Sequence, residues 1–416
     1  MTADLVLPAP SPGQDAAVAW VGTHLGDLVV GDAGASPAFR GGQRAADQRL
    51  AAFDVAGYAA RRNEIWPIDR RGASTLSPYV RHGLIGLPTL WAHVGGGPAR
   101  DVAKYRDELL WQEYARHVYS RFGTSMTEAA RFVVSGRTAG GPPPADAGWP
   151  RDMACIELSV GELERDGWVP NQGRMWLASH WTVRAHLGWR DGEDLFFRHL
   201  LDGSRAANRL GWAWTVGVGT GKPYGFSRQQ VENRAPGLCA GCALNRACPV
   251  QSWPDAPAPD PASDVDPRWR RDPDLATTTG PTAPHRDPAG AAEVVWLTAE
   301  SLGDDDPAML AHPDLPAVFV FDIPLLARLR LDSRRLVFLT ETLADLATRR
   351  EVRIFRGDPR SALTGHRLAT TFAPVPGWRT RAAVVRPVEV HPWPWLVPPH
   401  AGPIGSFTAW RTAARA

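Results

Sequence analysis

Four cysteines constrain this chain more than any other feature. Cys239, Cys242 and Cys248 form a C-x2-C-x5-C run that Pro249 follows, and Cys155 lies far upstream. Such a run places three thiols on one tight loop, and a proline after the last cysteine is common beside iron–sulfur ligands. A distant fourth thiolate would complete a four-sulfur site for a 4Fe–4S cluster or for zinc. Nothing marks the chain as secreted, so disulfides are the weakest alternative. The spacing alone leaves the cluster and zinc equally open.

The composition is that of a globular protein. The chain has 416 residues, of which 44% are hydrophobic and 22% are charged, and this length predicts two or three domains. No apolar run approaches a membrane span and no signal peptide is visible, so we expect a cytoplasmic protein without a membrane partner. The net charge of +2 does not indicate nucleic-acid binding by itself. The 18 tryptophans are more informative than the net charge, because this number is high for a chain of this length.

Periodicity and composition divide the chain into four segments. Apolar residues three and four positions apart, as in residues 109–119 and 174–183, predict helices. A later stretch rich in Pro and Asp predicts a linker or a wrapping segment. The predicted organisation is a tail or linker at residues 1–40, a helical domain with the cysteine loop at 41–256, a linker at 257–292 and an α/β domain at 293–416.

The last segment has the pattern of a βαβ unit. Residues 293–298 and 316–322 are short apolar, β-branched runs, which are typical of buried parallel strands. A helical stretch at 334–349 leads to a third strand at 352–355. This order predicts a small, doubly wound Rossmann-like domain. No G-x-G-x-x-G motif follows the first strand, so the usual dinucleotide site is not indicated there.

Four motifs in the helical segment resemble those of the photolyase/cryptochrome family. Residues 74–83, STLSPYVRHG, resemble the phosphate-binding entry of its FAD domain, and residues 108–117, ELLWQEYARH, resemble its ELIWREFYRH helix. Residues 167–175, GWVPNQGRM, resemble its GW-x-x-N-R-x-RM turn. Residues 202–214, DGSRAANRLGWAW, resemble its DGD-x-AAN-x-GGW-x-W signature. The resemblance implies a multi-domain protein in which an all-α FAD-binding domain is followed by the small Rossmann-like α/β domain.

That domain order is the reverse of the usual one in this family, where the α/β antenna domain comes first. Residues 39–46 resemble the linker that follows the antenna domain, and residues 405–411 resemble the FTPFW segment that precedes the linker. We therefore predict a circular permutation, which folds tolerate when the original termini are close and exposed. Residues 298–302 lack the family's Arg-Arg-Asp pattern, which argues against an antenna chromophore.

The resemblance also bears on the cysteines. One bacterial branch of the family has a 4Fe–4S cluster, with one cysteine before the flavin motif and three after it. Cys155, Cys239, Cys242 and Cys248 occur in that order. The resemblance therefore favours a 4Fe–4S cluster, with zinc as the alternative.

The same motifs imply which residues contact FAD. Arg174 and Asp202 would form a buried pair against the flavin, where the arginine stabilises the reduced, anionic form; without a ligand the pair would be an ordinary core salt bridge. Asn208 matches the position that faces flavin N5, and Ser204 replaces an acidic residue. Ser74 and Ser77 would offer hydroxyl and backbone N–H groups to the pyrophosphate. The full set of implied FAD contacts is Tyr58, Ser74, Thr75, Leu76, Ser77, Glu108, Trp111, Arg174, Asp202, Ser204 and Asn208.

Other positions match the family's lesion pocket, into which the damaged bases are flipped. There a carboxylate bonds the thymine edge and indoles stack on its faces. Gln112 and Gln172 stand where the family has arginine, which weakens phosphate contacts. The positions implied to hold a pyrimidine dimer are Glu108, Trp111, Asn171, Met175 and Trp214.

Electron transfer in this family runs over tryptophans. Trp212 and Trp189 match the inner and middle members of that chain, and Trp149 is a candidate for the outer one. We interpret Trp176 and Trp181 as core residues, which is the ordinary role of a tryptophan.

Taken together, the motifs predict a deoxyribodipyrimidine photo-lyase. Such an enzyme uses blue light and reduced FAD to repair pyrimidine dimers in damaged DNA by electron transfer. The alternative is a cryptochrome-like blue-light sensor or a redox flavoprotein without repair activity, which the lost arginines favour.

Overall fold

Helices and a mainly parallel sheet make up the two halves of this protein. The computed structural model describes residues 5–127, 131–134, 148–288 and 290–415. The helices are α1 (Gln14–Leu25), α2 (Gln43–Ala51), α3 (Tyr58–Arg61), α4 (Ser77–Arg81), α5 (Leu87–His93), α6 (Ala99–Phe122), α7 (Ala154–Asp166), α8 (Asn171–Ser179), α9 (Trp189–His199), α10 (Arg205–Thr215), α11 (Arg228–Arg234), α12 (Leu275–Thr279), α13 (Pro307–Ala311), α14 (Ile323–Leu329), α15 (Ser333–Ala347), α16 (Pro359–Ala362), α17 (Pro376–Val385) and α18 (Phe407–Ala414). The strands are β1 (Leu5–Leu7), β2 (Phe132–Val133), β3 (Asp260–Pro261), β4 (His285–Arg286), β5 (Val294–Leu297), β6 (Ala317–Asp322), β7 (Val352–Gly357), β8 (Leu368–Thr371) and β9 (Glu389–His391).

The large sheet has the strand order β1-β7-β6-β5-β8-β9-β4. Its five inner strands are parallel, and numbered along the chain they run 3-2-1-4-5, which is the doubly wound order. Strands β5 and β8 are buried along their whole length, as expected of parallel strands with helices on both faces. The predicted strands at 293–298, 316–322 and 352–355 and the helix at 334–349 are confirmed as β5, β6, β7 and α15.

Aspartates begin the helices that follow the strands. A carboxylate oxygen at the N-cap accepts hydrogen bonds from otherwise unpaired N–H groups of the first helical turn. This local rule fixes where the chain turns back over the sheet. The capping residues are Asp306 for α13, Asp322 for α14, Asp332 for α15 and Asp358 for α16.

Residues 5–40 are more ordered than the tail or linker predicted from their composition. Strand β1 pairs antiparallel with β7, so that Leu5 lies opposite Arg356 and Leu7 opposite Ile354. Helix α1 packs on α15 and buries Val21 in the core. The segment was missed because three apolar residues become a strand only when an existing sheet edge pairs with them.

The Pro- and Asp-rich segment at 257–292 wraps around both halves. Strand β3 pairs with β2 of the helical half, and β4 pairs with β9 at the edge of the large sheet. Between them, the Trp269 ring stacks on Phe122 with centroids 4.2 Å apart, and Asp272 forms a buried ion pair with Arg121. The segment is therefore part of the packed structure.

The C-terminal residues also cross to the other half. Backbone N–H groups of Leu396 and Val397 donate to the buried Glu113 carboxylate on α6. Trp410 of α18 is fully buried and its indole N–H donates to His117 Nδ1. The packing thus assigns this end of the predicted 293–416 domain to the helical core.

His82 joins the two halves at the carboxyl end of β5. Its Nδ1 and Nε2 atoms lie 2.8 Å and 3.1 Å from the carbonyl oxygens of Ala299 and Leu201. Complete burial lowers the pKa of His82 to about 3, so the ring is neutral at physiological pH.

Among the described residues, no helix has the length and apolar character needed to cross a bilayer.

Candidate functional site

An ion pair between Arg174 of α8 and Asp202, just before α10, lies at the centre of the helical half. Arg174 Nη2 donates to Asp202 Oδ2 at 2.6 Å, and Arg174 Nε donates to the Val169 carbonyl at 2.8 Å. The Asp202 side chain is 4% exposed. Its second oxygen, Oδ1, is buried without a hydrogen-bond partner, so it leaves an acceptor for a ligand.

Asn208, on the second turn of α10, offers the complementary group. Its side chain is buried, and its Nδ2 atom has no hydrogen-bond partner. Buried amide groups are nearly always paired. An unpaired donor on Asn208 and an unpaired acceptor on Asp202 therefore indicate that this part of the core is built around a polar ligand.

Arg335 of α15 supports the Asp202 turn from the α/β half. It is fully buried and donates to the carbonyls of Leu200 at 2.6 Å and Phe197 at 2.8 Å. Burial lowers its pKa to about 9. A Cβ at Gly203 would collide with its guanidinium, so glycine is required there. Sequence reasoning missed Arg335 because it belongs to the other half of the chain.

The segment at 74–77 is fixed by side chains from three other elements. The Trp168 indole N–H donates to Ser77 Oγ at 2.9 Å, and Arg49 donates to Thr75 Oγ1 at 3.3 Å. Ser74 contacts the hydroxyl of Tyr105, and Leu76 is buried. A hydroxyl that accepts one bond keeps a proton to donate, so Ser77 remains able to bind an acceptor. Ser204 is half-buried at the N-cap of α10.

Tyr58 begins α3 and packs edge-on against Tyr105, with ring centroids 4.8 Å apart. Burial raises the pKa of Tyr58 well above its ordinary value, so the phenol stays neutral. The start of α3 is held by Asp101, whose carboxylate accepts from the backbone N–H groups of Gly57 and Ala59.

The tryptophans form a continuous path through the helices. Trp212 and Trp189 are both buried, as are Trp176 and Trp181, in agreement with the core packing predicted for the last two. A Cβ at Gly192 would collide with the Trp212 and Trp181 rings, so this glycine lies between two indoles. Trp181 in turn lies 5.1 Å from Trp149, centroid to centroid. The motifs named Trp212 and Trp149 as members of the electron-transfer chain, but they did not show that Trp181 lies between them, because the three residues come from separate segments.

The four cysteines come together in space. The backbone N–H of Ala154, next to Cys155 on α7, lies 3.5 Å from Cys242 Sγ, and α7 packs on the short 3-10 helix Leu238–Gly241. Burial and, to a smaller extent, the other three thiols raise the pKa of Cys155 to about 12. None of the four forms a disulfide.

The spacing of these thiols distinguishes between metal groups. In the described part of the chain, no three of the cysteine sulfurs lie within 4.8 Å of one another. Sulfurs bound to one tetrahedral zinc at 2.3 Å lie about 3.8 Å apart. The cysteine sulfurs are therefore spaced more widely than a single zinc ion requires.

The flavin-site residues lie within a recognisable domain. Residues 153–232 match the FAD-binding domain of DNA photolyase. Arg174, Asp202 and Asn208 all fall in this range. This part of the chain is therefore similar to the FAD-binding domain of the DNA photolyase/cryptochrome family.

Two relatives and one solved structure illustrate the extent of the similarity. The deoxyribodipyrimidine photo-lyase of Synechococcus sp. is 30% identical over 196 residues, which cover 43% of this chain and 39% of that protein. That of Vibrio cholerae is 29% identical over 174 residues, covering 37% and 35%. A bacterial class III photolyase from Agrobacterium tumefaciens has a TM-score of 0.36 and 24% identity, covering 42% of this chain and 37% of that one. The matches thus span less than half of each relative.

Glu108 and Trp111 lie one turn apart on α6. Glu108 Oε1 is 3.0 Å from Lys104 Nζ and 3.3 Å from Arg62 Nε, so two cations hold this carboxylate. The Trp111 side chain is 38% exposed. One face of its ring stacks on Phe407, with centroids 4.0 Å apart. Phe407 lies in the segment that resembles the family's FTPFW sequence, but that resemblance did not predict its contact with Trp111.

The remaining positions predicted for the lesion pocket are on α8 and α10. Asn171 is exposed and Met175 half-buried on α8. Trp214 is 40% exposed and its ring lies 5.4 Å from that of Tyr224. Gln172 donates to the Tyr224 hydroxyl at 3.0 Å. Since α10 packs on both α6 and α8, the three helices that bear these positions form one contiguous unit.

Proposed function

We propose that this protein uses blue light and reduced FAD to repair pyrimidine dimers in DNA. The observation that supports this most is the exposure of Trp111 and Trp214. Only three of the 18 tryptophans are markedly exposed, and two of them lie on the packed helices α6 and α10. Both rings belong to one packed unit and are accessible to a ligand, and indoles are suited to stacking on extruded bases.

FAD fits the unpaired polar groups of the core. Asp202 Oδ1 and Asn208 Nδ2 would bond the edge of the flavin, and the Arg174 guanidinium would stabilise a negative charge on it. Ser74, Ser77 and Tyr58 would hold the phosphates. When bound, FAD would supply the electron that splits the dimer after light absorption. The contribution of the chain is to bind, orient and charge-balance the cofactor.

The lesion would lie between Trp111, Trp214 and Glu108, with Asn171 and Met175 at the edge of the pocket. The stacked Phe407 leaves one face of Trp111 for a base. Lys104 and Arg62 hold the Glu108 carboxylate in place, where it would accept a hydrogen bond from a thymine N–H. These two cations also add positive charge near the phosphates of the bound strand.

The four cysteines would hold a 4Fe–4S cluster. One observation supports the cluster over zinc: no three of the sulfurs lie within 4.8 Å of one another, whereas the ligands of a single tetrahedral ion would. Arg184 is a positive charge near Cys248 and Cys155, which would offset the negative charge of bound thiolates. The domain order would be that of a circular permutant, which the position of the 3-2-1-4-5 sheet at the C-terminal end of the chain supports.

A cryptochrome-like sensor is the second candidate. It is favoured by Gln112 and Gln172 at positions where the family has arginine. A sensor would reduce its flavin in light without binding damaged DNA.

One experiment separates the two. Protein purified without oxygen is given a reductant, blue light and an oligonucleotide with one thymine dimer, and flavin absorption and dimer content are followed together. Repair predicts loss of the dimer, which the Trp111→Ala and Trp214→Ala variants abolish while their flavin content stays normal; Trp91→Phe, a half-buried tryptophan of α5, is the control. Flavin photoreduction with an intact dimer would instead establish the sensor.

A further inference from the structure

A second group of metal-ligating side chains lies outside the FAD-binding domain. It consists of His312, Glu389 and His391, which offer one ligand atom each, all within 4.8 Å of one another. Among the described residues, no other group of three or more His, Cys, Asp or Glu side chains has its ligand atoms this close together. Nothing in the light-driven chemistry proposed above uses these three residues.

Separate elements of the α/β half bring the group together. His312 follows the C-terminal end of α13. Glu389 and His391 are two positions apart on β9, and side chains at this spacing point to the same face of a sheet. Since α13 packs on β9, His312 meets both of them. The His391 and Glu389 side chains are 5% and 6% exposed and His312 is 20% exposed, so the group is buried with one side open to solvent.

The distances are those of a metal coordination shell. His312 Nε2 lies 3.1 Å from Glu389 Oε2, and His391 Nε2 lies 2.8 Å from Glu389 Oε1. Ligand atoms bound at about 2.0 to 2.1 Å to a tetrahedral zinc ion lie about 3.3 Å apart. A single ion can therefore reach all three side chains without large movement.

The ligand atoms contact one another and one outer charge. The Glu389 carboxylate lies between the two imidazoles, and Arg286 Nε of β4 lies 3.2 Å from Glu389 Oε1, on a side chain that is 69% exposed. His312 Nε2, His391 Nε2 and Glu389 Oε1 are all buried. Apart from these contacts within the group and with Arg286, the three atoms have no hydrogen-bond partner among the described residues.

We propose that His312, Glu389 and His391 bind a divalent transition-metal ion, with Zn²⁺ as the best match. Two imidazoles and a carboxylate are a common ligand set for zinc, and three protein ligands leave the fourth position for water. Arg286 would remain as the outer partner of the carboxylate. The ion would connect α13 to β9. Through Arg286 it would also connect them to β4, the last strand of the Pro- and Asp-rich segment at 257–292.

The test is a metal titration of the full-length protein with its other cofactors in place. Protein dialysed against a chelator is titrated with ZnCl₂ in competition with a chromophoric chelator, and the binding of Co²⁺ is followed by absorption. The wild type is expected to bind one equivalent. Bound Co²⁺ should give visible d–d bands without the near-ultraviolet thiolate-to-cobalt band that the cysteine site would produce.

Variants assign the site. His312→Gln and Glu389→Gln should each weaken Zn²⁺ binding by about tenfold or more, whereas His366→Gln, an exposed histidine of the same half, should not change it. His312 is partly exposed at the end of a helix, so its variant is expected to fold even if His391→Gln does not. Unchanged zinc affinity in His312→Gln and Glu389→Gln, or a cobalt spectrum dominated by thiolate charge transfer, would overturn the proposal.

Discussion

The ring of Phe407 lies face to face with that of Trp111, with centroids 4.0 Å apart and planes 10° from parallel. The contact joins the C-terminal helix α18 to α6, next to the carboxylate of Glu108. It decides how much of Trp111 a ligand can reach.

Replacing Phe407 tests whether it supports or blocks the lesion pocket. Phe407→Leu removes a stacked aromatic pair worth about 0.5–1.5 kcal/mol and frees Trp111 to change rotamer. We expect severalfold weaker binding of dimer-containing DNA, measured by fluorescence anisotropy, with flavin content unchanged. Tighter binding in this variant would show instead that Phe407 covers the pocket.

Asn208→Ala should separate stability from cofactor chemistry. Because Nδ2 has no protein partner, we expect the free energy of unfolding of the flavin-free protein to change by no more than about 1 kcal/mol. The rate of flavin photoreduction should nevertheless change, since the amide is proposed to face the flavin. Asn171→Ala, at an exposed position, should leave that rate as it is. An unchanged rate in Asn208→Ala would remove Asn208 from the flavin site.

The path Trp212–Trp181–Trp149 predicts which tryptophan substitutions slow electron transfer to the flavin. Trp181→Phe and Trp149→Phe should slow flavin photoreduction by an external reductant under steady blue light. Trp176→Phe is the matched control, because Trp176 is equally buried but its ring stacks on Phe226. Equal rates in all three variants would mean that electrons take another route, such as one through Trp189.

Cys155→Ser should remove the proposed cluster. Iron and acid-labile sulfide, measured in protein purified without oxygen, are expected to fall from about four of each per chain to none. The melting temperature should fall as well, because metal binding contributes to folding. Zinc that is present in the wild type without sulfide, and absent from Cys155→Ser, would establish the zinc alternative.

Asp306 predicts a pH dependence of stability. Its carboxyl is completely buried at the start of α13, and burial raises its pKa from 3.8 to about 6. Between these pH values the native state holds a proton that the unfolded state has released, so the free energy of unfolding falls as the pH rises through this range. The shift corresponds to about 3 kcal/mol.

Two variants check this contribution by chemical denaturation at pH 4.5 and pH 7.5. Asp306→Asn keeps a capping side chain without a charge. It should flatten the pH dependence between these two conditions by about 2 kcal/mol, because part of the shift lies below pH 4.5. Asp305→Asn, at the exposed neighbouring position, should keep the wild-type dependence. If both variants behave alike, Asp306 is not the group responsible.

Local patterns predicted much of the fold. Strands β5, β6 and β7 and helix α15 follow from runs of apolar residues with strand or helix periodicity, and the match of residues 153–232 to the FAD-binding domain of DNA photolyase agrees with the resemblance seen in the motifs. Strand β1 was not predictable, because three apolar residues have no strand preference until β7 pairs with them. Burial of Trp181 was predicted, but not its place between Trp212 and Trp149, which depends on how three segments pack.

The candidate site shows the same limit. The motifs named Arg174, Asp202 and Asn208, and the structure adds which of their atoms are unpaired. They gave no sign of Arg335 or Phe407, because both come from the half of the chain outside the helical motifs. Contacts between distant segments depend on the tertiary fold, and no local spacing encodes them.

The two ends of the chain lie in different halves of the fold. Strand β1 extends the sheet, while Val397 and Trp410 complete the helical core beside α6. A fragment cut at either predicted domain border would therefore expose apolar surface that a distant part of the same polypeptide normally covers. The halves are expected to melt in a single transition, and limited proteolysis should release neither as a stable product.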